Sequence, residues 1–318
     1  MTTLAVDPQP KAAKKEKKAK KDKVALQKHK PMSARTWLRT LAWRHAVAIF
    51  AISFALFPFL WMASAAFNND NDVSNQQLIP PHPGFNNFQI LFSNPNYPYT
   101  SWIKNSVIIA SVTSLLQLAV AASAAYALSR FRYKGRKTTL MTILVVQMFP
   151  QLLAIASIYL ILADLGKSIP FMHIGNISAL IVVFVGGSLG VNCWMLKGFF
   201  DTVPQELDES AKIDGASHAQ IYFQIILPLV RPVLAVIFLL SFIGAMNEYV
   251  LTSIIIGNGN QSHLTVAVGM QGFISSAYQK NWGPFAAGSL MASVPVIALF
   301  MFLQRYVVTG LTAGSTKG

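Results

Sequence analysis

The chain has 318 residues, of which 53% are hydrophobic and only 12% charged, with a formal net charge of +14. Soluble domains carry about 25% charged residues, so this composition cannot clothe a water-soluble surface and the class is integral membrane. The positive charge does not by itself point to nucleic acid, because residues 11–44 hold 13 of the 26 basic side chains, with Asp7, Glu16 and Asp22 as the acids of that tail.

Residues 1–45 read as a Lys-rich cytoplasmic tail. Its first 31 or so residues have almost no large apolar side chains and cannot bury enough surface to offset the entropy of ordering. A solvated arm that fixes the orientation of the first span is the plain reading. Attraction to the anionic inner leaflet, at about 1 kcal/mol per basic residue near the surface, is the functional one. Nucleic-acid binding is the rival, and it would leave the rest of the chain unexplained.

Residues 46–67 form the first apolar span, long enough to cross about 30 Å of hydrocarbon, with Pro58 inside it. Ala63-Ser64-Ala65 imitates a signal-peptidase site, but the long segment before the apolar run argues against cleavage. Residues 68–100 come next, rich in Asn and Pro and free of Lys and Arg. Further apolar segments lie at about 103–128, 140–162, 177–196, 229–256 and 285–306, giving six spans. Between the second and third sit Arg130, Arg132, Lys134, Arg136 and Lys137 with no acid, which assigns that loop and both termini to the cytoplasm. The loops then placed outside contain only Lys167 and Lys280 as basic residues.

Within the spans, residues 121–125 are Ala and Ser, Gly186-x-x-x-Gly190 spans one turn and Gly288-x-x-x-Ala292 another, spacings that let helices approach closely in lipid. Pro58, Pro150 and Pro295 are expected kinks. Cys193 lies in an apolar run, can make no disulfide within the chain, and reads as packing. Asn247 and Glu248 stand near the end of the fifth span. A carboxylate at membrane depth is a candidate for the transport pathway, and a position about twenty residues from Leu229 equally suits an anchor at the outer interface. His173 and His263 have no second ligand at metal spacing.

The most informative polar stretch is residues 204–232. Thr202-x-x-Gln205 reads as a capping box, with Pro204 inside the first turn of a helix over 204–213. Asp214-Gly215 ends it, Gly215 being able to take φ > 0 and so to set the angle to the next helix. Ser217-x-x-Gln220 opens that second helix over 218–227, with Ile221, Tyr222 and Ile225 on one face, until Pro228 interrupts it.

No catalytic constellation accompanies these features. Gly166-Lys167-Ser168 matches the end of a nucleotide-binding P-loop, but Ile161 stands where its first glycine belongs; Gly135 to Thr138 fails likewise at Phe131. No paired carboxylates, nucleophile elbow or Cys/His group is present, so the chain is not read as an enzyme. An ion-coupled secondary transporter remains the alternative mechanism, although it needs more intramembrane ionisable groups than Glu248.

Residues 204–232 resemble the EAA loop of the membrane-spanning subunits of bacterial ABC importers: Glu209, Ala211, Asp214, Gly215 and Ala216, then Ile225, Leu227 and Pro228, with Ser210 where the family's middle Ala is usual. AYALSRFRYKGR (125–136) and residues 102–106 look like carbohydrate permeases of that class. LTVAVGMQGF (264–273), NWGPFAAGSLMASVP (281–295) and QRYVVTGLTAGSTKG (304–318) resemble the MalG-type permeases of maltose and maltodextrin importers.

The resemblance implies the type I ABC importer permease fold, all-α, with six transmembrane helices over 46–306. In such importers the EAA loop is a coupling helix pair that inserts into a cleft on an ATPase subunit. It implies cargo of the maltose or maltodextrin kind, or a related oligosaccharide, moved by alternating access in the bacterial cell membrane. The implied partners are a MalF-like second permease, a MalK-like ATPase homodimer, an extracytoplasmic sugar-binding protein and membrane lipid, with no nucleic acid. No cofactor is implied on this chain, ATP and magnesium being held by the ATPase. The C-terminal tail, residues 307–318, is expected to reach the ATPase dimer interface through Leu311, Lys317 and Gly318.

Overall fold

A computed structural model describes residues 37–70, 76–187, 189–257, 260–275 and 281–312. Most of the basic tail, and Lys317 and Gly318 at the other end, lie outside the described residues. The chain divides into two compact units, Met1–Phe59 and Leu60–Gly318. In the first, the backbone is already helical at Trp37, the first described residue and ahead of the tail boundary at residue 45, and passes through a π-helical turn, Leu38–Ala42. It continues as α1, Trp43–Phe67, which keeps Pro58 within an unbroken helix. Apolar side chains of this unit such as Phe50 and Phe54 are exposed all round, as suits a helix surrounded by lipid or by another subunit.

The second unit is organised around α3, Tyr99–Arg130, preceded by the short α2, Asn86–Ser93. At 1.5 Å per residue α3 is about 48 Å long, more than the hydrocarbon thickness. It packs against α6 (Ile177–Gly186), α7 (Val191–Thr202) and α10 (Arg231–Asn247). The small residues Ala121, Ala122 and Ala125 make this close approach possible: they are buried against Cys193, Leu196 and Phe200 of α7 and Val233 and Ile237 of α10. The C-terminal helix α13, Trp282–Thr312, packs on α10 and carries Pro295 inside it. Its backbone stays helical six residues beyond Tyr306, so Leu311, expected in a tail, belongs to the helix. Once a helix is formed each further residue adds a hydrogen bond at small cost.

Among the described residues three helices, Arg39–Phe67, Tyr99–Arg130 and Trp282–Tyr306, are long and apolar enough to cross a membrane, and three bent pairs, each counted as one span, raise the number to six. The bend at Pro150 was expected, and the other two were not. The third segment is α4, Arg136–Gln147, and α5, Gln151–Ser168, meeting at 96°. Pro150 removes a donor there and disfavours helical backbone at Phe149. The fourth bends by 50° between α6 and α7, so Gly186 and Gly190 mark a break and not a packing stripe. The fifth is the most divided. The chain turns by 80° at Val230 and breaks again at Glu248 and Tyr249 before α11, Val250–Ile256, where a single span over 229–256 was expected.

The loops gather at the two ends of α3 as the charge pattern sorted them. At one end Arg130 and Phe131 meet residues 203–218. At the other, Trp102 Nε1 donates to Gln261 O (2.7 Å), Asn105 Nδ2 to Ser262 O (2.8 Å), and Ser106 Oγ accepts from Val266 N (2.8 Å). Val266 opens α12, Val266–Gln271. Tyr99 Oη adds a bond to Gly288 O of α13, and Asn87 Nδ2 reaches the carbonyls of Ala66 and Asn68 at the end of α1.

Gly269 of α12 lies so near the Trp102 indole that a Cβ would stand 2.4 Å from a ring carbon. The indole is buried and hydrogen-bonded, so it has little room to yield. Gly269→Ala is therefore expected to cost about 1–3 kcal/mol through overpacking. A thermal midpoint of the purified protein that does not fall would show that Trp102 gives way freely.

Candidate functional site

The chain leaves α7 at Thr202, and its hydroxyl donates back to Phe199 O instead of forward to the next helix. The first expected capping box is therefore absent. Val203, the residue before a proline, is extended, and α8 starts only at Glu206 and runs to Ile213. Glu206, Asp208 and Glu209 occupy its first turn and Lys212 its last, the arrangement that the helix dipole favours.

Its end is a Schellman turn. Gly215 takes φ +82°, its N–H donates to Lys212 O (3.0 Å), and the N–H of Ala216 donates to Ala211 O (2.9 Å). The second capping box is present: Ser217 N donates to Gln220 Oε1 (2.7 Å), and Gln220 N to Ser217 Oγ (3.3 Å).

The helix so opened, α9 (His218–Leu229), is π-helical over Ile221–Ile226. Pro228 is carried within it, where an interruption was expected. A proline crowds the carbonyl four residues earlier and cannot bond it, and the wider π turn accommodates that defect. The wider turn also shifts the buried face. Ile221, Tyr222 and Ile226 are buried, while Ile225 is only partly so.

The underside of α8 and α9 is fastened to the membrane helices by groups that hydropathy and spacing did not single out. Nε of Arg130 lies 2.9 Å from Oδ2 of Asp208, the two side chains being 4% and 8% exposed. Nη2 of Arg130 also donates to Val203 O (2.9 Å). Beside them Ser129 Oγ donates to Asp201 Oδ1 (2.6 Å), and Lys197 pairs with the other oxygen of Asp201. The Tyr126 ring meets Phe131, Phe200 and Tyr222, and Phe131 meets His218 edge to face at 5.5 Å. One signal was available in the sequence: Asp208 and Ala211 stand three apart, on the face of α8 that both bury.

The residues that the resemblance assigns to coupling therefore fall into two groups. Glu209, Asp214 and Gly215 are exposed, together with Leu207 and an Ile213 that is 87% accessible. Ala211 is buried, and Ala216, Ile225 and Leu227 are partly buried against the same core. The loop thus shows one face to its own bundle and leaves the other, polar with isolated apolar side chains, exposed.

A second feature lies deeper. A cavity of about 710 Å³ opens between α3, α5, α6, α7, α10 and α11, lined mainly by apolar side chains and by Thr113, Gln117, Asn192, Ser241 and Glu248. Glu248 sits at the break in the fifth span. Its carboxylate accepts from Leu251 N (2.8 Å), Thr252 N (2.8 Å) and Thr252 Oγ1 (2.6 Å), capping α11. Asn247 is exposed and does not line this cavity.

Residues 117–312 match the family described as binding-protein-dependent transport system inner membrane component. The chain belongs to that family. This permease is 38% identical over 288 residues to the galactooligosaccharides transport system permease protein GanQ of Bacillus subtilis (strain 168), covering 90% of this chain and 99% of the relative. It is 35% identical over 295 residues to the maltose/maltodextrin transport system permease protein MalG of Vibrio vulnificus (strain YJ016), covering 88% and 97%. Among solved structures, a bacterial ABC transporter that imports the acidic polysaccharide alginate contains a chain of the same fold, with a TM-score of 0.70 and 20% identity. The match covers 87% of this chain and 99% of that one.

The permease is thus a multi-pass protein of the inner membrane and one part of an ABC importer that depends on a binding protein. ATP is hydrolysed on a separate subunit in this family, and the permease itself carries no cofactor.

Proposed function

We propose that this permease passes a neutral oligosaccharide, of the maltose and maltodextrin kind or a close relative, into the cytoplasm by alternating access, with both its termini on the cytoplasmic side. The two-faced loop carries the mechanism: Leu207, Glu209 and Ile213 stand outward on a helix whose other side is pinned by Arg130 and Asp208. An ATPase subunit gripping the outer face would move α3 and α7 with it. The cargo rests on the relatives named for galactooligosaccharides and for maltodextrins. The partners in this reading are a second related permease, a homodimer of ATPase subunits and an extracytoplasmic sugar-binding protein.

The test is uptake of labelled maltotriose by vesicles containing the assembled importer. Uptake should require ATP and the binding protein and should survive an ionophore. Transport that collapses with the ion gradient and ignores ATP would establish an ion-coupled carrier instead.

The C-terminus gives a second check. Because α13 is helical to Thr312, truncation after Thr312 leaves the helix whole, whereas truncation after Tyr306 shortens it. If residues 313–318 reach the ATPase, truncation after Thr312 keeps the permease in the membrane and weakens ATPase association or stimulation several-fold. Unchanged ATP hydrolysis in the complex would leave coupling to residues 204–232 alone.

A further inference from the structure

The polar groups of the deep cavity are two amides, two hydroxyls and one carboxylate. Gln117 Nε2 donates to Phe184 O (2.8 Å), a carbonyl in the last turn of α6, and Asn192 Nδ2 donates to Ser241 Oγ (3.2 Å) across to α10. Each amide is thereby oriented with one of its two N–H donors engaged, which leaves its carbonyl oxygen and the second N–H for a ligand. Glu248 adds a carboxylate, an acceptor only when ionised, fixed by three donors of α11. No Lys, Arg or His lines the cavity, and among the described residues no cation pairs with Glu248.

The remaining wall is apolar, with Ile158, Val183 and Phe184 facing the same space. Its volume is in the range of small-molecule sites, about 300–1,000 Å³. A wall of amides, hydroxyls and one carboxylate wants a ligand rich in hydroxyl groups, and an apolar wall wants C–H surface. A sugar ring offers both, hydroxyls at its rim and C–H groups on its faces. A single carboxylate without a counter-cation in an apolar cavity repels a second anion.

We propose that this cavity holds a neutral oligosaccharide on its way through the membrane. Its hydroxyls donate to the carbonyl oxygens of Gln117 and Asn192, and Glu248 turns away acidic saccharides. The proposal rests on the sugar cargo argued above and adds the residues on this chain that recognise it. Gln117 and Asn192 are specificity residues that touch the cargo; Glu248 acts through its charge as well as by capping α11.

The experiment uses the complete importer, purified in detergent so that both faces are accessible, with Ala154→Cys as a reporter inside the cavity. The native Cys193 is buried and serves as background. The rate of labelling by N-ethylmaleimide during ATP turnover is followed with maltotriose, with trigalacturonate or with neither. Maltotriose is expected to slow labelling at least fivefold and trigalacturonate to leave it unchanged. Adding Glu248→Gln should let trigalacturonate protect, and Asn192→Leu should weaken protection by maltotriose about tenfold.

Equal labelling with and without maltotriose, in an importer whose vesicles take the sugar up, overturns the proposal. So does slow labelling in all conditions that is relieved by removing lipid, which would give the cavity to an acyl chain. Protection by trigalacturonate in the unaltered Glu248 background overturns the charge filter. Wild-type vesicles that take up no maltotriose at all would instead refute the choice of cargo on which the proposal rests.

Discussion

Asp208→Ala should destabilise this permease by about 3–5 kcal/mol, because it leaves Arg130 as a buried cation without its partner. The loss should appear as a large drop in the amount of protein recovered from the membrane and in its thermal midpoint, with uptake lost as a consequence. Glu209→Ala, one residue further along the same helix but exposed, should leave the midpoint within about 0.5 kcal/mol of wild type and act on coupling only. The decisive comparison is the double replacement Arg130→Met with Asp208→Leu. Replacing a buried ion pair by apolar side chains of similar volume is often neutral or stabilising, so the double variant should recover much of the stability that Asp208→Ala loses. An Asp208→Ala protein as stable as wild type would mean that water reaches this pair.

Gly215→Val should abolish uptake by a different route. The position has φ +82°, and a Cβ added there would meet nothing within 4 Å, so the penalty is one of backbone conformation and not of crowding. A β-branched residue at positive φ is a rare outlier, with a cost of about 1–3 kcal/mol. The chain would escape it by opening the Schellman turn, and with it the angle between α8 and α9. The protein should remain in the membrane and lose its ATPase subunits on purification. Gly215→Asn, which tolerates left-handed backbone far better, should keep them. Copurification and transport that do not distinguish Val from Asn would remove the turn from the coupling mechanism.

What the sequence disclosed and what it hid divide along a physical line. Apolar length shows where membrane segments lie, and basic residues show which loops belong together. Local turn chemistry was legible at Gly215 and at Ser217 with Gln220, because each signal acts within four residues. Thr202 with Gln205 obeyed the same spacing and failed, since Val203 before Pro204 cannot continue a helix and the hydroxyl found Phe199 O instead.

The breaks at residues 187–190 and 248–249 were hidden because hydropathy averages composition and is blind to backbone direction. Pro150 did announce a kink, but Pro58 and Pro295, equally visible, lie inside helices that continue. The pairing of Arg130 with Asp208 had no local signal, because 78 positions separate them along the chain. In the sequence Arg130 counted as one charge among five in a loop.

The uninterrupted course of α3 sets it apart from its jointed neighbours. Trp102 and Asn105, which hold the loop at Gln261 and Ser262, and Arg130, which holds α8, are mounted on one stiff rod about 38–42 Å apart. Such a rod transmits position and also azimuth: one residue inserted between its ends would turn the two attachments about 100° out of phase without removing a single side chain. The angular relation between the two attachments is then stored in a residue count, and a change of length in the middle of this helix would be felt at both ends at once.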